Sequence, residues 1–237
     1  MIIALEGMDA SGKATHAKKL AEKLNGVVID FPHYSTKVGH LIEGHLKNWW
    51  STERGNQADI NLMSTSDFDK WLETEGTLDA MVFQCLQTIN RLELLETINN
   101  HINNGKTIIF DRYWASALVY GALDGLDTTW IRDIQAPLPE PDLWLFLDIP
   151  AEESVRRRPD RRDRYEKKPG FMEKVRQEYL SLFEKERGAE LKRRAAELPM
   201  GPGWYIINGL GTLDEVESNI WEAIKTEMHA IHSRGNY

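Results

Sequence analysis

Three groups of residues in this 237-residue sequence have the chemistry to handle phosphate. The first is Gly7-Met8-Asp9-Ala10-Ser11-Gly12-Lys13, a G-x-x-x-x-G-K run directly after the apolar stretch Ile2–Glu6. Glycines let a backbone wrap so that several N–H groups face an anion together. A helix starting there adds unpaired N–H groups and a partial positive charge, and Lys13 adds a point charge for β- and γ-phosphates. Gly7, Asp9, Ala10, Ser11, Gly12, Lys13, Ala14 and Thr15 are therefore the candidate ATP-binding residues. The pattern usually continues with a Ser or Thr that ligates Mg²⁺, whereas this chain has Ala14. Thr15 lies about 100° further round a helix. Asp9 and Asp111 are left as candidate carboxylates for Mg²⁺, partly through water.

The second group is Asp111-Arg112-Tyr113, which follows the apolar run Thr107–Phe110. A carboxylate at the end of a buried strand beside a phosphate loop is placed to orient a metal and its waters. Arg112 offers a planar fork suited to phosphate. The third group is the basic island Arg156-Arg157-Arg158-Pro159-Asp160-Arg161-Arg162-Asp163-Arg164. Phosphoryl transfer spreads charge over equatorial oxygens, and arginines arriving on a closing segment supply the counter-charge. Lys13, Asp9, Arg112, Arg164, Arg161 and Arg157 are the candidate catalytic residues. A solvated charge run or a nucleic-acid patch is the competing reading of the island. The net charge of −8 argues against a general nucleic-acid binder, and an acidic body with one basic island suits a small anion.

The elements that must carry these groups follow from the apolar pattern. Ile2–Glu6, Val27–Asp30, Thr107–Phe110, Leu143–Asp148 and Trp204–Ile207 read as strands, most of them continuously apolar as if buried on both faces. Helical patterns fall at Thr15–Leu24, Leu78–Asn99, Trp114–Gly121 and Lys174–Leu198. The alternation predicts an α/β fold with a parallel sheet and right-handed crossovers. With 41% hydrophobic and 28% charged residues, the chain suits a single domain, residues 1–237, with a full core. A probable insertion occupies 47–77, where Trp49, Trp50, Phe68 and Trp71 would pin it to the body, and a lid occupies about 156–170. No apolar run is long enough to span a bilayer, and the N-terminus does not read as a signal peptide. Cys85 is the single cysteine, which excludes an intrachain disulfide and a cysteine metal cluster. The histidines show no metal-ligand spacing, and a cytoplasmic enzyme is the expectation.

In order and spacing these marks resemble the thymidylate kinase family of P-loop nucleoside monophosphate kinases. The likeness covers roughly residues 1–47 and 78–220. It adds Phe31-Pro32-His33-Tyr34, Asn90-Arg91, Ser116 and Tyr120 behind Asp111-Arg112-Tyr113, Pro141–Asp148, and Asp163-Arg164-Tyr165-Glu166. It implies a P-loop NTPase fold, a five-stranded parallel sheet of order 2-3-1-4-5 flanked by helices, with an arginine-rich lid. It implies transfer of the γ-phosphoryl of ATP to a deoxynucleoside monophosphate, most simply dTMP to dTDP, with Mg²⁺ and in a homodimer. Asp9, Phe31, Pro32, Tyr34, Phe83, Gln87, Arg91, Asp111, Arg112, Ser116 and Tyr120 would then form the acceptor site. Arg91 would face the base, Arg112 would grip the acceptor phosphate, and Tyr120 would lie against the deoxyribose. Asn208–Thr212 would border the adenine. The family usually has phenylalanine where this chain has Gln87 and often arginine where it has His33, so another or a modified deoxynucleotide stays open. So do a deoxynucleoside kinase and, from a different class, a catalytically silent nucleotide-binding module, which Ala14 would suit.

Overall fold

A computed structural model describes residues 1–47, 77–159, 170–196 and 201–232. Its centre is a five-stranded parallel sheet of order β2-β3-β1-β4-β5, as expected from the sequence. The strands are β1 (Ile2–Glu6), β2 (Val27–Asp30), β3 (Ile108–Asp111), β4 (Leu143–Asp148) and β5 (Gly203–Asn208). β3 is shifted by one residue from its predicted range and β5 is longer by one residue at each end, because ladder pairing and not apolarity sets their limits. β1 and β4 are buried almost throughout, while β2 lies at the sheet edge and keeps only Ile29 buried. The expectation of two-sided burial thus holds for the centre of the sheet and not for this edge.

Alternate residues of each central strand serve two different cores. Ile3, Leu5, Leu143, Leu145 and Leu147 face one side, packed by Ala17 and Leu20 of α1 (Lys13–Leu24) and by Ile220 and Ile224 of α9 (Leu213–His232). Ala4, Phe110, Trp144 and Phe146 face the other, against α5 (Trp114–Leu123) and α8 (Phe171–Ala195). That second core is aromatic: Trp144 and Trp204 stack at 4.9 Å and 9°, and Trp114 meets Trp144 edge-on at 4.7 Å. Such pairs add specific geometry to a large buried area.

The predicted helix Leu78–Asn99 is two helices, α3 (Thr77–Glu93) and α4 (Leu95–Asn103), with Leu94 as the break. Short helices that the sequence reading passed over complete the described chain. They are α2 (Lys37–Leu46), α6 (Thr128–Gln135) and α7 (Ala151–Arg157), and α9 was missed as well. No helix among the described residues is long and apolar enough to cross a membrane. The predicted insertion residues Trp49, Trp50, Phe68 and Trp71, and the lid residues Arg161 and Arg164, lie outside the described residues.

α2 approaches the β2–α2 turn very closely. Thr36 caps the helix by accepting from the Gly39 N–H at 3.0 Å, and a Cβ on Gly39 would lie 2.0 Å from the His33 carbonyl oxygen. Alanine at a helix interior usually stabilises relative to glycine. Here the sign should invert: Gly39→Ala is expected to lose about 1–3 kcal/mol in urea unfolding, because backbone must move aside.

Candidate active site

The phosphate loop leaves β1 at Gly7 and enters α1 at Gly12, which caps the helix with a left-handed backbone. Gly7 has φ 144°, and a Cβ there would lie 2.8 Å from the Leu147 carbonyl oxygen. Only glycine lets the loop lie against the end of β4 in this way. Lys13 is buried and folds back, donating from Nζ to the Met8 carbonyl at 2.7 Å. Burial, and then the positive charge of Arg112, pull its pKa down to about 8, although Asp111, Asp9 and Glu6 oppose the shift. Ser154 of α7 donates to the Asp9 carbonyl at 2.8 Å and so steadies the same loop.

Glu6, the last residue of β1, is fully buried beneath this loop. Its Oε1 accepts from the backbone N–H groups of Tyr113, at 2.8 Å, and Ser116, at 3.3 Å. Its Oε2 accepts from the hydroxyls of Ser116, at 2.6 Å, and Tyr179, at 3.0 Å. One carboxylate therefore joins β1, the β3–α5 turn and α8. Burial pushes its pKa up; the Ser116 hydrogen bond and the Arg112 charge pull against that.

The turn that Glu6 holds carries Arg112 at φ 64°, a left-handed conformation rare for a non-glycine residue. Strain of this kind costs about 1–3 kcal/mol and persists where the surroundings over-determine it. Its guanidinium points to Asp9 and donates to Oδ1, while Arg158 donates to Asp9 Oδ2 at 2.8 Å. Burial, the largest single effect, disfavours the charge on Arg112, but Asp9, and after it Tyr120, Tyr179 and Glu6, together outweigh it and hold its pKa well above the ordinary value. The Asp9 carboxylate thus sits between an arginine of the β3–α5 turn and one just after α7.

Beside Asp9 opens a cleft enclosing about 660 Å³, its mouth included. It is lined by Asp9, Phe31, Pro32, Tyr34, Phe83, Gln87, Arg91, Arg112, Ser116 and Tyr120, and also by Leu46, Gln84 and Ala117. Ten of the eleven residues expected around the acceptor meet here. The eleventh, Asp111, ends β3 and is near enough to raise the Lys13 pKa. Asn90 keeps the Phe31–Tyr34 turn in place. It accepts from the His33 N–H at 2.8 Å and donates to the His33 carbonyl at 3.1 Å. Arg91 is buried against Phe31 and Tyr113, donating from Nη2 to the Tyr113 carbonyl at 3.0 Å. Desolvation lowers its pKa to about 10.

Arg157 donates from Nη1 to the Ala10 carbonyl at 3.2 Å and from Nη2 to the Gly209 carbonyl at 3.3 Å. It bridges the phosphate loop to the loop after β5. Sequence reading missed Glu6, Ser154, Arg158, Tyr179 and Gln84 as site residues. Glu6 left a trace, a carboxylate closing an otherwise apolar strand. Tyr179 and Ser154 left none, because they arrive from distant helices.

Comparison with known proteins agrees with this geometry. The family model described as thymidylate kinase matches residues 65–199. A probable thymidylate kinase of Pyrococcus abyssi is 31% identical over 234 residues, covering 95% of this chain and 96% of that protein. The thymidylate kinase of Arabidopsis thaliana is 28% identical over 228 residues, covering 94% of this chain and 70% of that one. Among solved structures, a thymidylate kinase from Candida albicans, reported to reveal the origin of broad substrate specificity, superposes with a TM-score of 0.66. It is 28% identical, with 96% of this chain and 92% of that chain covered. With the sheet order and the glycine loop beside this match, the chain belongs to the thymidylate kinase family.

Proposed function

We propose that this chain transfers the γ-phosphoryl group of ATP to dTMP, giving ADP and dTDP. The observation that carries the reading is one continuous site in which the phosphate loop and the acceptor cleft share Asp9. ATP phosphates would lie against the N–H groups of Gly7–Lys13, displacing Lys13 from the Met8 carbonyl. The acceptor phosphate would take the Arg112 fork, and the base would run past Phe31 toward Arg91. A phosphate oxygen, already ionised near neutral pH, then attacks the γ-phosphorus in line, the bond to the ADP oxygen breaks, and no general base is needed. Lys13 and arginines of the 156–170 lid, with Arg164, Arg161 and Arg157 foremost, would neutralise the equatorial oxygens.

The residues present fit Mg²⁺ in a limited way. Ala14 offers no hydroxyl, and both Asp9 oxygens are engaged by guanidinium groups. That leaves Asp111, acting directly or through water, which suits an ion that keeps much of its hydration and binds chiefly through phosphate oxygens. Held there, Mg²⁺ would supply charge neutralisation for the phosphoryl groups. Half-buried Gln87 on the cleft wall supports a second reading, in which another or a modified pyrimidine deoxynucleotide is the preferred acceptor.

A homodimer is part of the proposal. Met81, Cys85 and Ile89 are exposed at four-residue spacing along α3, an apolar stripe that a second copy would cover. A reducing, cytoplasmic setting suits the exposed free thiol of Cys85.

The direct experiment is ADP release from Mg-ATP with each deoxynucleoside monophosphate and each nucleoside in turn. Turnover with dTMP and none with thymidine is expected, whereas turnover with thymidine alone would make the chain a nucleoside kinase. Arg112→Ala should raise KM for the monophosphate by about 10- to 100-fold, as expected for a lost charged contact. Lys13 supplies a pH test. The phosphates stabilise its charged form, so its pKa in the ATP complex should exceed the free value of about 8. ATP affinity should therefore be full below pH 8 and fall as pH rises through the two values, with net proton uptake on binding near pH 8. Calorimetry in buffers of different ionisation enthalpy measures that uptake, and its absence would remove Lys13 from the phosphate site.

A further inference from the structure

We propose that Gln84 selects the acceptor base, its amide oxygen accepting the imide N–H of thymine or uracil. The inference rests on the kinase reading above and names the group that chooses the base within that site. Among the described residues five buried side-chain atoms have no hydrogen-bond partner. Three of them belong to residues lining the acceptor cleft: Oε1 of Gln84 and Nε and Nη1 of Arg91. The other two, on His16 and Gln135, belong to residues that do not line it. Buried polar groups are nearly always paired, so orphans gathered at a cleft point to a ligand that pairs them.

Gln84 is 1% exposed and Arg91 2%, on one face of α3 with Gln87 between them. Helical residues three, four and seven apart share such a face. Gly121 of α5 lies close to this amide, for a Cβ built there would be 3.6 Å from Nε2 of Gln84. The amide is thus confined at the cleft.

Two free donors on Arg91 and one free acceptor on Gln84 complement a particular base edge. The imide edge of thymine or uracil presents two carbonyl oxygens on either side of one N–H. Cytosine places a bare ring nitrogen at that central position, setting acceptor against acceptor at Gln84. A site built to bond a substrate N–H rejects an analogue lacking it far more strongly than an apolar pocket rejects a change of size.

The test compares wild type with Gln84→Leu, offering dTMP, dUMP, dCMP and N3-methyl-dTMP with Mg-ATP. Leucine keeps much of the volume and removes the unpaired amide, and thermal unfolding checks that the variant is folded. Wild type should prefer dTMP over N3-methyl-dTMP and dCMP by about 10- to 100-fold in kcat/KM, the worth of one buried hydrogen bond. The variant should lose about that factor with dTMP and dUMP alike, leaving the N3-methyl substrate nearly unchanged, so that the preference disappears. A variant that keeps the wild-type preference would overturn the assignment to Gln84 while leaving the kinase intact. Should the variant not fold, wild type that handles N3-methyl-dTMP or dCMP as well as dTMP would overturn it equally. Silence of wild type with every monophosphate would instead defeat the kinase reading on which the inference rests.

Discussion

A carboxylate buried in an apolar sheet is expensive unless every lone pair is used, and Glu6 uses them on four donors. Those donors come from the β3–α5 turn, the first turn of α5 and α8, so satisfying one charge fixes how these elements meet at the end of β1. The position is also strategic. Glu6 immediately precedes the phosphate loop, and the turn that it holds carries Arg112 in its left-handed conformation. Donor and acceptor sites are thereby referred to the same strand end. An apolar residue would pack there, yet it would leave the Tyr113 and Ser116 N–H groups without that acceptor and release the turn.

Without substrates the charged groups of the site satisfy one another. Asp9 is shared between Arg112 and Arg158, Lys13 leans on a loop carbonyl, and Arg157 bridges two loops. Incoming phosphates would replace these internal partners with stronger anionic ones, so binding rearranges contacts within a cleft already shaped for it. The base end differs. There Arg91 and Gln84 keep buried polar atoms unpaired, the deficit on which the proposed choice of base rests.

The sheet was legible in the sequence, its order through family likeness, and ten of the residues expected around an acceptor line one cleft, for physical reasons. β1 and β4 are apolar up to their last residue because both faces are buried, and the glycine loop needs backbone freedom that a side chain would forbid at Gly7. Three kinds of feature were not legible. The break at Leu94 follows no proline or glycine and changes no residue pattern. Helices α6 and α7, of eight and seven residues, are too short for a periodic signal to accumulate. Tyr179 and Ser154 reach the site from elements far along the chain, and no local motif encodes that approach. Gln87 was legible as a departure from the family, but the unpaired amide one turn earlier at Gln84 needed the packing of α3 against α5 to be seen.

If Glu6 sets the acceptor site through the β3–α5 turn, its removal should separate the two substrates. The decisive measurement is the affinity of Glu6→Ala for dTMP and for ATP, alongside Glu6→Gln, which retains an acceptor for the two N–H groups. Glu6→Ala should weaken dTMP at least about tenfold, consistent with stranding buried donors, with ATP much less affected and Glu6→Gln intermediate. Unchanged dTMP affinity in a folded Glu6→Ala protein would show that the turn holds itself, and that Glu6 is not the residue on which the site is built.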